Sequence, residues 1–313
     1  MLKELFSILI FPGFFFLVIF SLFVEFFDRK LYARLQNRVG PPWFQPFADI
    51  LKLLGKEELI PCDANQRMFK AAPLFALTAA ITAFLYIPMW KVNTLFAFNG
   101  DVLVVLYLLT LPTLCFFIGG WYSTSLFARI GSVRSMTQLF AYEVPLFMGI
   151  LSSALLANTW SLTEITLFYA AHPWFWLFNL LGFCISLIAL LGKLEKAPFD
   201  IPEAETEVVA GVFTEYSGKL FAFLRLTLDI EMVVGAALLA AIFFPFGLKF
   251  NPLLGFLIFI VKIFFIVSLL SLLRTILARL RIDQMINFCW KYLVPLAFLQ
   301  LLINLVMKGV MLK

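Results

Sequence analysis

The chain has 313 residues, 63% of them hydrophobic and only 14% charged, with 24 Lys+Arg against 19 Asp+Glu for a net charge of +5. So little polar surface excludes a soluble domain, and 17% aromatic residues exclude a disordered chain, which leaves an integral membrane protein. In that class the positive excess reports topology before it suggests a nucleic acid, and none is expected as a partner.

Roughly 20 mostly apolar residues are needed to cross a bilayer. Eight segments meet that requirement, at 5–27, 71–90, 102–122, 141–159, 174–192, 219–245, 253–273 and 291–312. The expectation is an all-α, polytopic protein of about eight spans in one membrane domain, 1–313. The first run is long for a signal peptide and ends in Asp28-Arg-Lys30 without a small-residue cleavage site. Loop 28–70 follows, with Arg29, Lys30, Arg34, Arg38, Lys52, Lys56, Arg67 and Lys70. Within it, residues 45–56 have helical spacing, with Phe47, Ile50, Leu51 and Leu54 on one face and Asp49, Lys52 and Lys56 on the other. Proline at the second position suits a helix start, so an interfacial helix is expected there.

Loop 123–140 adds Arg129 and Arg134, loop 193–218 adds Lys193 and Lys196 with Lys219 at its end, and loop 274–291 adds Arg274, Arg279, Arg281 and Lys291. These four alternate loops hold 17 of the 24 basic residues, and the opposite loops hold only Lys91 and Lys249. The positive-inside rule then puts the basic loops in the cytoplasm and both termini outside. No internal repeat is present, which argues against transporters built from two halves.

The segment from Glu195 to Glu215 concentrates six acids in 21 residues: Glu195, Asp200, Glu203, Glu205, Glu207 and Glu215. A helix started by Pro202 would make Glu203 and Glu207 neighbours on one face, where mutual repulsion raises one pKa and suits a proton relay. A solvated acidic loop is the plain alternative, but Val208, Val209, Val212 and Phe213 among the acids need burial. Charges inside the spans extend the series: Glu143, Arg225, Asp229, Glu231 and Lys262. Such residues are costly in a bilayer and point to an ion path, although Arg225 and Asp229 also suit a structural i,i+4 pair. Cys62, Cys115, Cys184 and Cys289 are scattered and read as small apolar fillers, and one histidine, His172, cannot supply paired haem ligands. No catalytic or metal site, and no bound cofactor, is expected in this chain.

Several ordered motifs carry a resemblance: Asp28-Arg-Lys30, Gln36-Asn-Arg-Val-Gly-Pro41, Gln45-Pro-Phe-Ala-Asp49 with Lys52, Gly120-Trp121, and Tyr142-Glu-Val-Pro145. They continue through Ala197-Pro-Phe-Asp200, Glu203-Ala-Glu-Thr-Glu207, Thr214-Glu-Tyr216, Arg279-Leu-Arg-Ile-Asp-Gln284 and Trp290-Lys291. Over most of its length the chain resembles the membrane subunit shared by complex I (the ND1-type subunit) and ion-translocating membrane-bound [NiFe] hydrogenases. The resemblance implies a non-catalytic coupling subunit between a cytoplasmic redox arm and antiporter-like membrane subunits. It implies an ion-coupling funnel lined by Glu143, Glu203, Glu205, Glu207 and Glu215, and the acid-rich segment and the charges within the spans add Asp200, Asp229, Glu231 and Lys262 to the candidate ion path. Contacts with the redox arm are implied for Arg29, Arg38, Gln45, Asp49, Lys52, Lys196, Arg279, Arg281 and Asp283.

Three departures separate the chain from quinone-reducing members of that family. The stretch Gly40-Pro-Pro-Trp-Phe-Gln-Pro46 is contracted, Lys193 stands where those members carry a glutamate, and Leu228-Asp-Ile-Glu231 replaces an Ala-Glu-Tyr. The resemblance is therefore closest to the hydrogenase-like branch, which includes ferredoxin-linked hydrogenases and sulfur reductases. It implies large and small redox subunits as partners, holding a [NiFe]-type site and iron–sulfur clusters, with ferredoxin supplying electrons in a prokaryotic plasma membrane. A quinone-reducing complex I is the alternative, followed by a stand-alone channel or transporter.

Overall fold

The computed structural model describes residues 2–89, 96–247 and 251–311, apart from the side chains of 2–4, 205, 206 and 311. Lys91, Lys249 and the Glu205 side chain therefore lie outside the described residues. Among those described there is no strand. The elements are α1 (Leu2–Leu9), α2 (Phe14–Leu35), α3 (Gln45–Leu54), α4 (Gln66–Leu85), α5 (Asp101–Trp121), α6 (Leu126–Ala157) and α7 (Leu162–Ala171). They continue with α8 (Phe175–Phe178), α9 (Leu180–Lys193), α10 (Glu205–Val208), α11 (Gly218–Phe243), α12 (Pro252–Ile276), α13 (Ile282–Phe288) and α14 (Val294–Met311). Seven helical stretches among the described residues are long and apolar enough to cross a membrane.

Residues 174–192 differ from the single span expected there. They form the short α8 and the 14-residue α9, which at about 1.5 Å per residue reaches only about 21 Å. The break falls at Asn179, whose side chain is drawn into a buried polar network. It donates to the Tyr169 hydroxyl at 2.6 Å and accepts from Asn304 at 2.7 Å. Gln300 donates to the Phe178 carbonyl at 2.8 Å, so α14 is fastened to the break by amide groups. Interhelical bonds of this kind suit a setting in which apolar burial gives no preference between lipid and neighbour.

Helix α11 is the axis of the bundle. The apolar window that qualifies it as a span is wholly buried, with α2, α4, α9 and α12 around it. Apolarity alone would suit lipid equally well, but the small residues Gly235, Ala236, Ala237, Ala240 and Ala241 let neighbouring helices approach α11 closely from several sides. Helix α6, with 32 residues, reaches about 48 Å and outruns the roughly 30 Å hydrocarbon core. Its first turns carry Arg134 and Gln138 toward the acidic segment. On α3, Ile50 is buried and Phe47 packs edge-on against Phe23 at 5.1 Å, but Leu51 and Leu54 are exposed. The filler role expected of the cysteines suits Cys289, which is buried, and not Cys62 or Cys184, which are exposed.

Candidate functional site

The acidic segment does not form the helix that Pro202 was expected to start. Only Glu205–Val208 is α-helical, with a single 3-10 turn at Gly211–Phe213, and Gly211, with φ +53°, folds the chain back so that a Cβ there would collide with the Pro202 carbonyl. Glu203 and Glu207 therefore share no helix face. Glu207 turns outward and bonds Arg134 at 2.5 Å, while Glu203 turns inward to line a chamber. Glu215 is half-buried further along the segment.

Backbone groups of the segment are pinned from two sides. Gln138, fully buried on α6, donates to the carbonyls of Gly192 at 2.7 Å and Phe199 at 2.8 Å. From the stretch before α13, the Leu280 amide donates to the Pro198 carbonyl at 3.1 Å, and Arg279 forms a 2.8 Å ion pair with Asp200.

The chamber has a volume of about 330 Å³ and is walled by Glu25, Arg29, Glu195, Lys196, Asp200, Glu203, Arg225, Asp229, Arg274 and Arg279, with Leu194, Ala197 and Leu228. Helices α2, α11 and α12 and the 194–203 stretch each supply part of it. Its floor is an ion cluster: Lys196 bonds Asp28 at 2.6 Å and Glu25 at 3.3 Å, Arg274 reaches Asp28 at 3.4 Å, and Arg29 bonds Glu25 at 2.7 Å. Ser271 donates to the other Asp28 oxygen at 2.5 Å. Burial works against the Lys196 ammonium, but Asp28 and Glu25 more than offset it and hold its pKa above the ordinary lysine value. Lys196 was expected at the surface facing a redox arm, and the structure turns it inward because these two carboxylates lie beneath it.

Glu195 joins the chamber to the interior. It is 5% exposed, has a positive φ of 49°, and neither carboxylate oxygen accepts a hydrogen bond. Burial, then the nearby Glu203 charge, pushes its pKa up to about 8, and Lys193 does not offset them. Glu203 is likewise raised by burial, with Asp200 adding to the effect and Arg225 opposing it. Beyond Glu195, within its electrostatic reach, lie Lys193 and Glu231, which bond each other at 2.7 Å. Thr113 lies 3.4 Å from the Lys193 ammonium and 3.2 Å from the Tyr142 hydroxyl. Glu143, half-buried, is within electrostatic reach of Lys193. Asp200, Glu203, Glu195, the Lys193–Glu231 pair, Tyr142 and Glu143 thus form one line from the chamber into the helix bundle.

A second cleft, about 340 Å³, opens beside the chamber under α3. It shares Arg29, Arg225 and Asp229 with the chamber and adds Pro46, Asp49, Ile50, Lys52, Leu53 and Phe221. Asp49 bonds Arg29 at 3.0 Å and accepts from Gln45 at 2.9 Å. Arg38, Lys52, Arg281 and Asp283 are exposed at this end. The Arg281 amide is capped by Gln284 at 3.1 Å. Arg225 and Asp229 do not form the i,i+4 ion pair that their spacing allows; both line the shared wall. Lys262 is not brought to this cluster. It sits near the far end of α11, bonded to the Phe246 carbonyl in the turn that follows the helix, with Ala240 and Ala241 lining the same small cavity.

The sequence reasoning left Glu25, Asp28 and Lys193 out of the site. Asp28 and Arg29 read as the charged end of a span, and the one available signal was that Glu25 falls four residues before Arg29 on the same helix. Among the described residues, no group of three or more His, Cys, Asp or Glu side chains is placed to hold a metal ion.

Comparison with known proteins gives four findings. The NADH dehydrogenase family model matches residues 7–305. An NADH-quinone oxidoreductase subunit of Carboxydothermus hydrogenoformans is 34% identical, with 92% of this chain and 85% of that protein covered. The like-named protein of Thermomicrobium roseum is 36% identical, with 89% of each covered. Among solved structures, a chain of the membrane-bound sulfane sulfur reductase, an archaeal respiratory membrane complex, superposes with a TM-score of 0.85 at 26% identity, covering 97% of this chain and 98% of that one.

Proposed function

Because the chain belongs to the NADH dehydrogenase family, we propose that it is a membrane subunit of a multi-subunit respiratory complex and couples redox chemistry in its neighbours to ion movement. One observation carries this: titratable groups, each within electrostatic or hydrogen-bond reach of the next, run from the chamber, through Glu195 and the Lys193–Glu231 pair, to Tyr142 and Glu143. In a low-dielectric interior a charge change at one end of such a line is felt several residues away. The basic end of the bundle, with α3, faces the cytoplasm, and both termini lie outside. Large and small redox subunits dock there, holding the [NiFe]-type site and iron–sulfur clusters fed by ferredoxin. Antiporter-like membrane subunits receive the signal beyond Glu143.

Support for the hydrogenase-like or sulfur-reducing branch comes from Lys193, buried against Glu231 at a position where quinone-reducing members carry an acid. The contracted 40–46 stretch and the likeness to the sulfane sulfur reductase complex point the same way. The cleft under α3, apolar along Pro46, Ile50, Leu53 and Phe221, favours the second reading, a quinone-reducing complex I. Purified intact complex, driven by reduced ferredoxin, should pass electrons to protons or polysulfide and not to quinone. Quinone reduction as the fastest reaction would reverse the choice of branch.

A further inference from the structure

The charges around the chamber do not cancel. Its wall carries five carboxylates and five cations, and Asp28 is bonded directly to two of those cations. Six carboxylates therefore face five cations. The cleft under α3 adds one of each, Asp49 and Lys52, and the Lys193–Glu231 pair is neutral, so the excess stays. An unpaired charge at an acid as buried as Glu195 is expensive, so the resting chamber calls for one proton beyond its five cations.

The pairing shows where that proton can reside. Arg29 bonds Glu25 and Asp49, Lys196 bonds Asp28 and Glu25, Arg274 bonds Asp28, and Arg279 bonds Asp200. Arg225 is different. Among the described residues it has neither an ion pair nor a hydrogen bond, although it stands in the wall common to chamber and cleft. Three chamber carboxylates also lack a cation: Glu195, Glu203 and Asp229. Arg225 lies within electrostatic reach of Glu203, on the segment opposite, and of Asp229, four residues along its own helix. That spacing lets a guanidinium fold onto a carboxylate, and its fork of five donors serves either partner while staying charged.

We propose that Arg225 is a movable counter-charge shared by Asp229 and Glu203, and that its position decides whether the extra proton of the chamber rests on Glu195 or on Glu203. With the guanidinium on Glu203, that carboxylate stays ionised and Glu195 keeps the proton. With the guanidinium on Asp229, Glu203 loses its counter-charge and takes the proton that Glu195 releases. One O–H bond breaks, one forms, and the charge of the chamber is unchanged. The raised pKa of Glu195 agrees with its holding the proton in this state. Arg225 is then a positioning residue, and the proposal deepens the coupling function and rests on it.

The test is infrared titration of protonated carboxyl groups in the intact purified complex, with Glu195→Gln identifying that signal. Arg225→Met/Asp229→Asn keeps the net charge of the chamber. If Arg225 served Asp229 alone, the remaining acids would titrate as in the wild type. If it is shared, Glu203 loses its counter-charge, and one further carboxyl signal appears with proton affinity raised at least tenfold, absent once Glu203→Gln is added. Arg225→Lys should retain the wild-type titration. An unchanged titration in the double variant overturns the proposal. Should that variant fail to assemble, Asp229→Asn alone leaves Arg225 on Glu203, lowers the proton affinity of Glu203 at least tenfold and leaves the proton on Glu195; an unshifted Glu203 overturns it equally. Ions moved per electron, measured on the same preparations, separate the two levels: a changed titration with an unchanged ratio removes the coupling role and leaves the shared counter-charge standing.

Discussion

The ammonium of Lys193 lies 2.7 Å from a carboxylate oxygen of Glu231, and the two side chains are 1% and 0% exposed. They come from α9 and α11, 38 residues apart. Burying two charges costs several kcal/mol per ion, and mutual attraction returns it only while both partners are present. Lys193→Met should therefore destabilise the chain by about 3–5 kcal/mol, whereas Lys193→Met/Glu231→Leu should be neutral or better. Thermal unfolding of the assembled complex measures this; equal losses in the single and double variants would mean that the pair is not the source.

Stability should also depend on pH through Glu195. The unfolded chain releases this proton near the ordinary value of 4.5, and the folded chain near 8. Between those values the folded state binds more protons, so stability falls as pH rises, by about 1.4 kcal/mol per unit at most, and levels off above the folded value. Glu195→Gln should remove this slope from the unfolding midpoint measured against pH. A slope of the same size in the variant would assign it to another group.

Gln138 makes two buried hydrogen bonds that flank the start of the acidic segment, to the carbonyls of Gly192 at the end of α9 and of Phe199 within the segment. Gln138→Leu leaves both carbonyls without that donor, at a cost of about 1–3 kcal/mol. Amide exchange over 194–204 should speed up roughly tenfold or more, which is what 1.4 kcal/mol produces. Unchanged exchange there would place the restraint elsewhere.

Lys262 tests the boundary of the site. Bonded to the Phe246 carbonyl just past the C-terminal end of α11, it should contribute about 1 kcal/mol to stability. Lys262→Met should lower the unfolding midpoint and leave ions moved per electron as in the wild type. A reduced ratio would return Lys262 to the ion path that its sequence position suggested.

Composition alone made the helical class and most of the bundle readable, since a run such as 219–245 has only one solution in a bilayer. The acidic segment was readable as a site because its acids alternate with valines that need burial. Its shape was not: Gly211 at positive φ reverses the chain after Pro202, and this separates Glu203 from Glu207. Nor could spacing show that Asp28 meets Ser271 and Arg274, as it lies more than 240 residues from both in sequence. Lys193 read as a missing glutamate. Only the packing of α9 on α11 supplies its partner.

Coupling itself is tested most directly by the number of ions moved per electron in sealed vesicles carrying the intact complex with Glu195→Gln or Glu143→Gln. Both residues stand on the line between the chamber and the bundle, and neither substitution changes side-chain volume appreciably. The expected result is at least a tenfold fall in the ratio, or stalled electron flow, in both variants. Wild-type ratios at wild-type turnover in both, with the complex fully assembled, would contradict a coupling role for the line.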